Sequence, residues 1–396
     1  MSTVTFDVVR ASTKYVVDEN GDLSQVAANT PAFEYNADGT YKGMLVEEER
    51  ENGIRNSEAG GSTNGVIGSG GALPTNWGTA GLNGIAVEII GTGTEKGVEY
   101  VDIKFSGTAT STGQFSLRFD SISQITAAQN EFWSSSVFMK YTDQTDNPES
   151  VSLGIQQFDS TPTFLAVDSQ TITLTNTLTR YKYENVEIDN ASTASIINTV
   201  FFGITNTETY NFTVRFGLPQ LEEGAHASSV IKTSGTSVTR NKDDISNTSA
   251  STYIGTAGTI YAEVQIDNIL NENQWIIYAR STTAPAENYI HMFLSSSGNF
   301  GYRLAASNVV QGSHDETATT GNHKLAIVYT TGDIRYYLDG VQVGTDANAF
   351  TFAQTLSEIY IGKTPFSSTD HFNNWIRAFA FYKRALTDSE AIALTS

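Results

Sequence analysis

The chain has 396 residues, of which 39% are hydrophobic and only 17% charged, enough apolar material for more than one core beneath a polar, uncharged surface. With 23 Lys and Arg against 43 Asp and Glu, the net charge of −20 excludes nucleic acid and membrane insertion as expected partners, since both anionic surfaces are met by clustered cations. Cysteine is absent, which excludes disulfides and thiolate zinc sites, and no run approaches the roughly 18 apolar residues of a membrane-spanning helix.

Met1 to Arg10 has neither the basic start nor the apolar stretch of a signal peptide, so no export signal is expected. Residues 1–65 then read as short extended pieces. Arg10 to Val17 runs into the turn Asp18 to Asp22, Pro31 to Tyr35 into Asn36 to Gly39, and Gly43 to Arg50 into Asn52-Gly53. Each piece holds too few apolar residues for a core, so the segment is expected to be an arm that borrows a surface to become ordered. Gly60 to Gly71 is rich in Gly and Ser and reads as a hinge.

Residues 66–233 carry a series of short strand patterns: Ile85 to Ile89, Tyr100 to Phe105, Phe115 to Phe119, Val137 to Tyr141, Val151 to Ile155, Arg180 to Tyr183, Val200 to Ile204 and Asn211 to Phe216. Phe115, Leu117 and Phe119 alternate with Ser116, Arg118 and Asp120, the period of a strand buried on one face. Turn formers separate the strands and no crossover helices intervene, so the expectation is an antiparallel sandwich.

Residues 234–396 follow the same logic. Thr259 to Ile266 is the expected first strand, with Ile260, Ala262, Val264 and Ile266 on one face. His323 to Tyr329 and Asp333 to Gly344 alternate likewise, and Asp339-Gly340 breaks the second run where a two-residue hairpin turn needs positive φ. Ile359 to Gly362 and Trp375 to Phe381 are further strands. The tail is a short helix, with Thr387 and Glu390 as a capping box and Leu386 placed to staple onto Ala391. The fold class expected is all-β: an extended N-terminal arm, two antiparallel jelly-roll sandwiches and one short C-terminal helix.

The runs H-K-L-A-I-V-Y, Y-Y-L-D-G-V-Q-V-G, I-Y-I-G-K and the closing W-I-R-A-F-A-F-Y-K-R-A-L-T-D-S-E resemble, in order, the concanavalin A-like, laminin-G-type jelly roll over residues 236 to 396. Residues 66–233 resemble a carbohydrate-binding-module jelly roll, with Gly217 to Ile231 as its closing strand. The stretch from R-A-S-T-K-Y-V through D-G-T-Y-K-G-M-L-V-E-E-E-R, residues 8 to 60, resembles the N-terminal region of tailed-phage fibre and head-spike proteins, although Arg50 is followed here by Glu-Asn-Gly rather than Thr-Asn-Leu. These resemblances imply a virion-surface protein without enzymatic activity, made in the host cytoplasm and attached by its arm to capsid, portal or tail proteins. They also imply a homo-oligomeric presentation on the particle and adhesion to host-surface or environmental glycans. Architectural capsid decoration and polysaccharide depolymerisation are the alternatives.

Sugar binding sets an aromatic face against the C–H face of a ring. Trp77, Trp275, Tyr289 and Tyr302 are the candidates, with Trp77, in a Thr-Asn-Trp-Gly loop, the expected exposed platform; Trp133 and Trp375, inside apolar runs, are expected in the cores. Glycan hydrolysis needs two carboxylates across a cleft, and Asp267, Glu287, Asp315, Glu316 and Glu358 are dispersed acids without a pairing signal. No cofactor is expected. Calcium is the one metal such an acidic sandwich suits, with Asp143 and Asp146, or the Asp18 to Asp22 turn, as its candidates.

Overall fold

The computed structural model describes residues 5–282, 287–367 and 370–396. They divide into two compact units, one of residues 50–240 and one that joins 1–49 to 241–396. Both are antiparallel sandwiches, as the alternation predicts, and strands make up nearly all of the regular secondary structure among the described residues.

In the unit of residues 50–240, one sheet runs in the order Thr179–Glu187, Phe132–Asp146, Thr209–Glu223, Val98–Thr108, Ala86–Glu95 and Gly65–Val66. The other runs Phe164–Ile172, Ser150–Phe158, Ser195–Ile204, Gly113–Arg118 and Gly78–Ala80. Every second residue points inward, and Phe105 centres the core with the rings of Phe115 and Phe202 at 5.1 Å and Phe212 at 5.4 Å. The strand Phe164–Ile172 has no counterpart among the predicted ones, because it is an edge whose residues stay largely open and show no apolar period.

Two expectations about the leading segment are corrected here. Residues 50–59 are not arm: Ile54 and Ala59 lie in this core, and Arg50–Asn52 pairs with Val238–Arg240. Asn52 fixes the crossing, its buried side chain donating to the carbonyls of Pro219 and Ile231 and accepting from the Ile54 and Leu221 amides. The expected Gly-rich hinge is ordered, mainly by backbone pairing, with the Asn56 side chain bonding both the amide and the carbonyl of Gly60 at its start. Thr63 and Ala72 exchange hydrogen bonds of 2.9 and 3.0 Å, and Gly65–Val66 joins the sheet edge. Backbone pairing needs no side chains, which is why a run poor in them still packs.

The other unit has two seven-stranded sheets. The first runs Asp7–Val9, Asp244–Asn247, Glu358–Ile361, Gln274–Arg280, Tyr289–Leu294, Asn299–Ala306 and Val309–Thr317. The second runs Val341–Asp346, Asp333–Leu338, Gly321–Thr330, Gly258–Ile266, Asn374–Tyr382, Tyr41–Val46 and Phe33–Tyr35. Ile260, Ala262 and Val264 of one sheet meet Ile277, Ile290, Met292 and Leu304 of the other in a single core.

Residues 5–49 thus borrow a surface, as their composition requires, but the surface belongs to the same chain: they add strands to both sheets of the C-terminal sandwich. An arm over 1–65 with domain limits at 66–233 and 234–396 therefore gives way to the division at residues 49/50 and 240/241. The local expectations at the other end stand. Asp339 and Gly340 take φ of 47° and 79° in the hairpin turn, the helix spans Asp388–Thr395 behind a complete Thr387–Glu390 capping box, and Leu386 and Ala391 share a small cluster.

Candidate functional site

Along Gln274–Arg280 and Tyr289–Leu294, the residues that do not face the core face outward together. A bulge between Trp275 and Ile277 resets the phase, so Trp275, Tyr278 and Arg280 lie on the same side as Tyr289, His291 and Phe293 of the neighbouring strand. The result is a continuous aromatic belt. Trp275 stacks on Phe293 with ring centroids 5.1 Å apart, His291 meets Trp275 edge-on at 4.8 Å, and Tyr289 stacks on His291 at 5.0 Å with 5° between planes. Tyr278 bridges to Tyr289 at 6.0 Å and to Phe366, whose ring is 61% exposed.

Phe293 lies flat because the residue opposite it is Gly301, where a Cβ would stand 2.4 Å from the ring. The glycine is thus a ring-sized depression in the strand. An arginine closes each end of the belt. Arg280 sits 4.8 Å from Phe366 and 5.7 Å from Tyr360, held by Glu358 at 2.9 Å, and Arg303 sits 5.3 Å from Phe293, held by Asp315 at 2.9 Å. With each cation paired to its own acid, the belt offers apolar faces and hydrogen-bonding groups rather than net charge.

Two enclosed polar atoms under the rings, Trp275 Nε1 and His291 Nδ1, have no hydrogen-bond partner among the described residues. Burial, with Arg303 nearby, pushes the His291 imidazole down to about 3, so it is neutral at physiological pH and offers one donor and one acceptor nitrogen. The half-buried rings of Trp275 and Tyr289 suit a ligand with an otherwise C–H-lined body.

Of the sequence-predicted site residues, the structure brings Trp275 and Tyr289 into this belt, both half-buried. It does not bring Tyr302 or Trp77. Tyr302 points the other way on its strand and is wholly enclosed, its hydroxyl donating to the Tyr337 carbonyl at 3.0 Å. Trp77, expected as an exposed platform, is a core residue: Asn76 takes φ of 73° and turns the loop back, so that the indole packs edge-on to Phe119 at 4.8 Å and donates to Asn56 O at 3.0 Å. Trp133 and Trp375 are buried as expected. Tyr278, His291 and Phe293 were not singled out, yet Tyr289, His291 and Phe293 at alternate positions of one run already spell an aromatic face. The bulge that brings Trp275 into line with them leaves no mark in the sequence.

Asp143 and Asp146 lie at the exposed end of a strand, where Thr145 Oγ1 donates to Asp143 at 3.0 Å. The Asp18 carboxylate is used within its turn, accepting from the amides of Asn20 and Asp22 and from the Ser24 hydroxyl. Among the described residues, no three His, Cys, Asp or Glu come together to hold a metal ion.

Residues 234–392 match the family described as the concanavalin A-like lectin/glucanases superfamily, so the sandwich that carries the belt is a concanavalin A-like domain. No curated protein matches the chain. Solved structures resemble it in part. The CBM40 of the Ruminococcus gnavus IT-sialidase, solved with α2,3-sialyllactose, is 19% identical over 35% of this chain and 83% of its own, with a TM-score of 0.31. Domain 4 of a GH43 extracellular arabinanase from Geobacillus stearothermophilus, with arabinotriose, is 15% identical over 39% and 73%, with a TM-score of 0.32. A Trypanosoma rangeli sialidase is 9% identical over 76% and 61%, with a TM-score of 0.31. Likeness at that level says nothing of ligand or residue roles.

Proposed function

We propose that this chain is a non-enzymatic glycan-binding protein whose concanavalin A-like unit takes neutral sugars along the belt of Trp275, Tyr278, Tyr289, His291 and Phe293. The observation that carries this reading is the row of stacked rings on an outward sheet face, with Trp275 and Tyr289 half-buried and Phe366 exposed. The rings supply an apolar platform for the C–H faces of a sugar, and Arg280 and Arg303 at its two ends are the polar groups that can reach hydroxyls. The acids beside the belt support binding over hydrolysis, since Glu358 and Asp315 are engaged by Arg280 and Arg303.

The setting we propose is the surface of a tailed-phage particle, where many copies convert weak single contacts into a firm hold. Its support is the resemblance of residues 8 to 60 to phage fibre and head-spike proteins. Because residues 5–49 are built into the C-terminal sandwich, attachment to capsid, portal or tail would use the outer surface of that segment.

Glycan-array binding by the full chain, repeated with Trp275→Ala, tests the ligand reading. Binding of neutral glycans that Trp275→Ala abolishes supports it. Particles that bind no glycan but lose mechanical stability without the protein would identify architectural decoration instead, and release of reducing sugar ends would identify a depolymerase.

A further inference from the structure

The unit of residues 50–240 has a face of a different character. Its strands Gly113–Arg118, Ser195–Ile204, Ser150–Phe158 and Phe164–Ile172 place their core-facing residues in the sandwich interior, which turns Ser116, Arg118, Thr199, Phe201, Ser152, Gly154, Gln156 and Phe158 outward. In register, Arg118 lies beside Thr199, Thr199 beside Gly154, and Gly154 beside Ser169. Most of this row is closely packed, with Arg118 its more open member. Gly154 makes room for its neighbours, because a Cβ there would meet the Asp168 carbonyl at 2.6 Å, the Ser169 side chain at 2.7 Å and the Phe201 ring at 3.2 Å.

None of these outward residues is acidic, in a chain with 43 Asp and Glu. Arg118 stands in that row, half-buried, and the acid two residues on, Asp120, is taken by Arg55. Its Nε donates to Gln156 Oε1 at 2.9 Å, and its guanidinium lies 5.7 Å from the Phe158 ring. No carboxylate pairs with it among the described residues, and burial lowers its pKa. Arg55 and Arg215 of the same unit, by contrast, hold Asp120 at 2.6 Å and Asp102 at 2.8 Å. A partly desolvated guanidinium without an anion has lost water without gaining a counter-charge, and a ligand carboxylate would supply it in the bidentate geometry guanidinium favours.

The rest of the face is sugar-like in its demands. Gln156 Oε1 also accepts from Thr199 Oγ1 at 3.3 Å, which leaves the Gln156 amide nitrogen as a donor. Phe164, 51% exposed and packed edge-on to Phe158 at 6.0 Å, offers a ring at the lower end.

We propose that this face is a second binding site, selective for carboxylate-bearing sugars, with Arg118 on the carboxylate, the Gln156 amide on a hydroxyl and Phe164 against the sugar's C–H face. It is independent of the belt. The two sites together give one chain a neutral-sugar surface and an acidic-sugar surface.

The test is titration calorimetry of the full chain with two acidic probes, sialyllactose and oligogalacturonate, and with lactose as the neutral control. At least one acidic probe binds while lactose does not compete for it, the affinity falls as salt rises, and Arg118→Gln weakens it by roughly tenfold or more. Trp275→Ala leaves it unchanged, which separates this site from the belt, and which probe binds distinguishes a sialic from a uronic acid. If Arg118→Gln lowers the melting temperature, Phe164→Ala, at an exposed ring, provides the same reading. Absence of binding by both acidic probes, or equal binding by Arg118→Gln and wild type, overturns the proposal.

Discussion

Arg10 and Asp243, 233 positions apart, form a 2.7 Å ion pair with both side chains almost fully enclosed. Lys14 reaches the second Asp243 oxygen at 2.8 Å, and the Glu47 amide donates to that same oxygen at 2.9 Å. One carboxylate therefore clamps three points of the N-terminal segment to the start of the C-terminal sandwich. Enclosed ion pairs gain little over apolar packing, but removing one partner strands the others at a cost of about 3–5 kcal/mol. Asp243→Ala is expected to destabilise this unit by about that much. Chemical denaturation reads the loss, and limited proteolysis should release fragments from residues 5–49 that the wild type protects.

His291 sets a pH dependence. Its folded-state pKa, about 3, lies below the ordinary 6.5 because burial disfavours the imidazolium. Between those values the unfolded chain holds more protons than the folded one, so stability is constant above pH 6.5 and declines as pH falls towards 3. His371, lowered to about 4 by burial while its Nε2 faces the Asp243 carbonyl at 3.0 Å, adds to the same slope. Melting temperatures from pH 7 to pH 4 should fall in wild type and fall less in His291→Gln. Sugar binding at the belt should stay level from pH 5 to 8, since the folded imidazole is neutral throughout.

Gly301→Ala tests the geometry of the belt without removing an aromatic ring. The new Cβ would stand 2.4 Å from Phe293, so the ring must tilt away from its stack with Trp275. Overpacking of this kind costs about 1–3 kcal/mol. Neutral-sugar affinity should drop with it, whereas Phe293→Leu at the same place should lose affinity with a smaller change in melting temperature.

Trp77 separates a core tryptophan from a binding one. Trp77→Ala removes a buried indole and the hydrogen bond to Asn56 O, and is expected to cost the unit of residues 50–240 about 3–5 kcal/mol. Binding at the Trp275 belt should be untouched. A Trp77→Ala protein of normal stability that lost sugar binding would return Trp77 to the platform role its loop suggested.

Thr387→Ala removes the hydroxyl that accepts from the Glu390 amide and should cost about 1 kcal/mol of stability in the C-terminal sandwich. A thermal melt compared with Thr387→Ser, which retains the cap, isolates the hydrogen bond from the loss of a methyl group.

Much of this was legible in the linear chain. The two-residue alternation of Phe115, Leu117 and Phe119, the Asp339-Gly340 turn and the Thr387 to Glu390 cap are local patterns, each dictated by side-chain direction or by φ at one or two positions, and each appears where its pattern places it. The need of the leading segment for a surface was likewise readable from its shortage of apolar residues.

Which surface it finds was decided only in three dimensions. Asp243 must lie against Arg10 and Lys14, and Tyr41–Val46 beside Asn374–Tyr382, before the segment has any partner, and no local rule links positions so far apart. The sites divide in the same way. Tyr289, His291 and Phe293 announce an aromatic face by their spacing, while the bulge that turns Trp275 into it, the turn at Asn76 that buries Trp77, and the pairing of Asp120 with Arg55 rather than Arg118 follow from strand register and loop path, which long-range pairing sets.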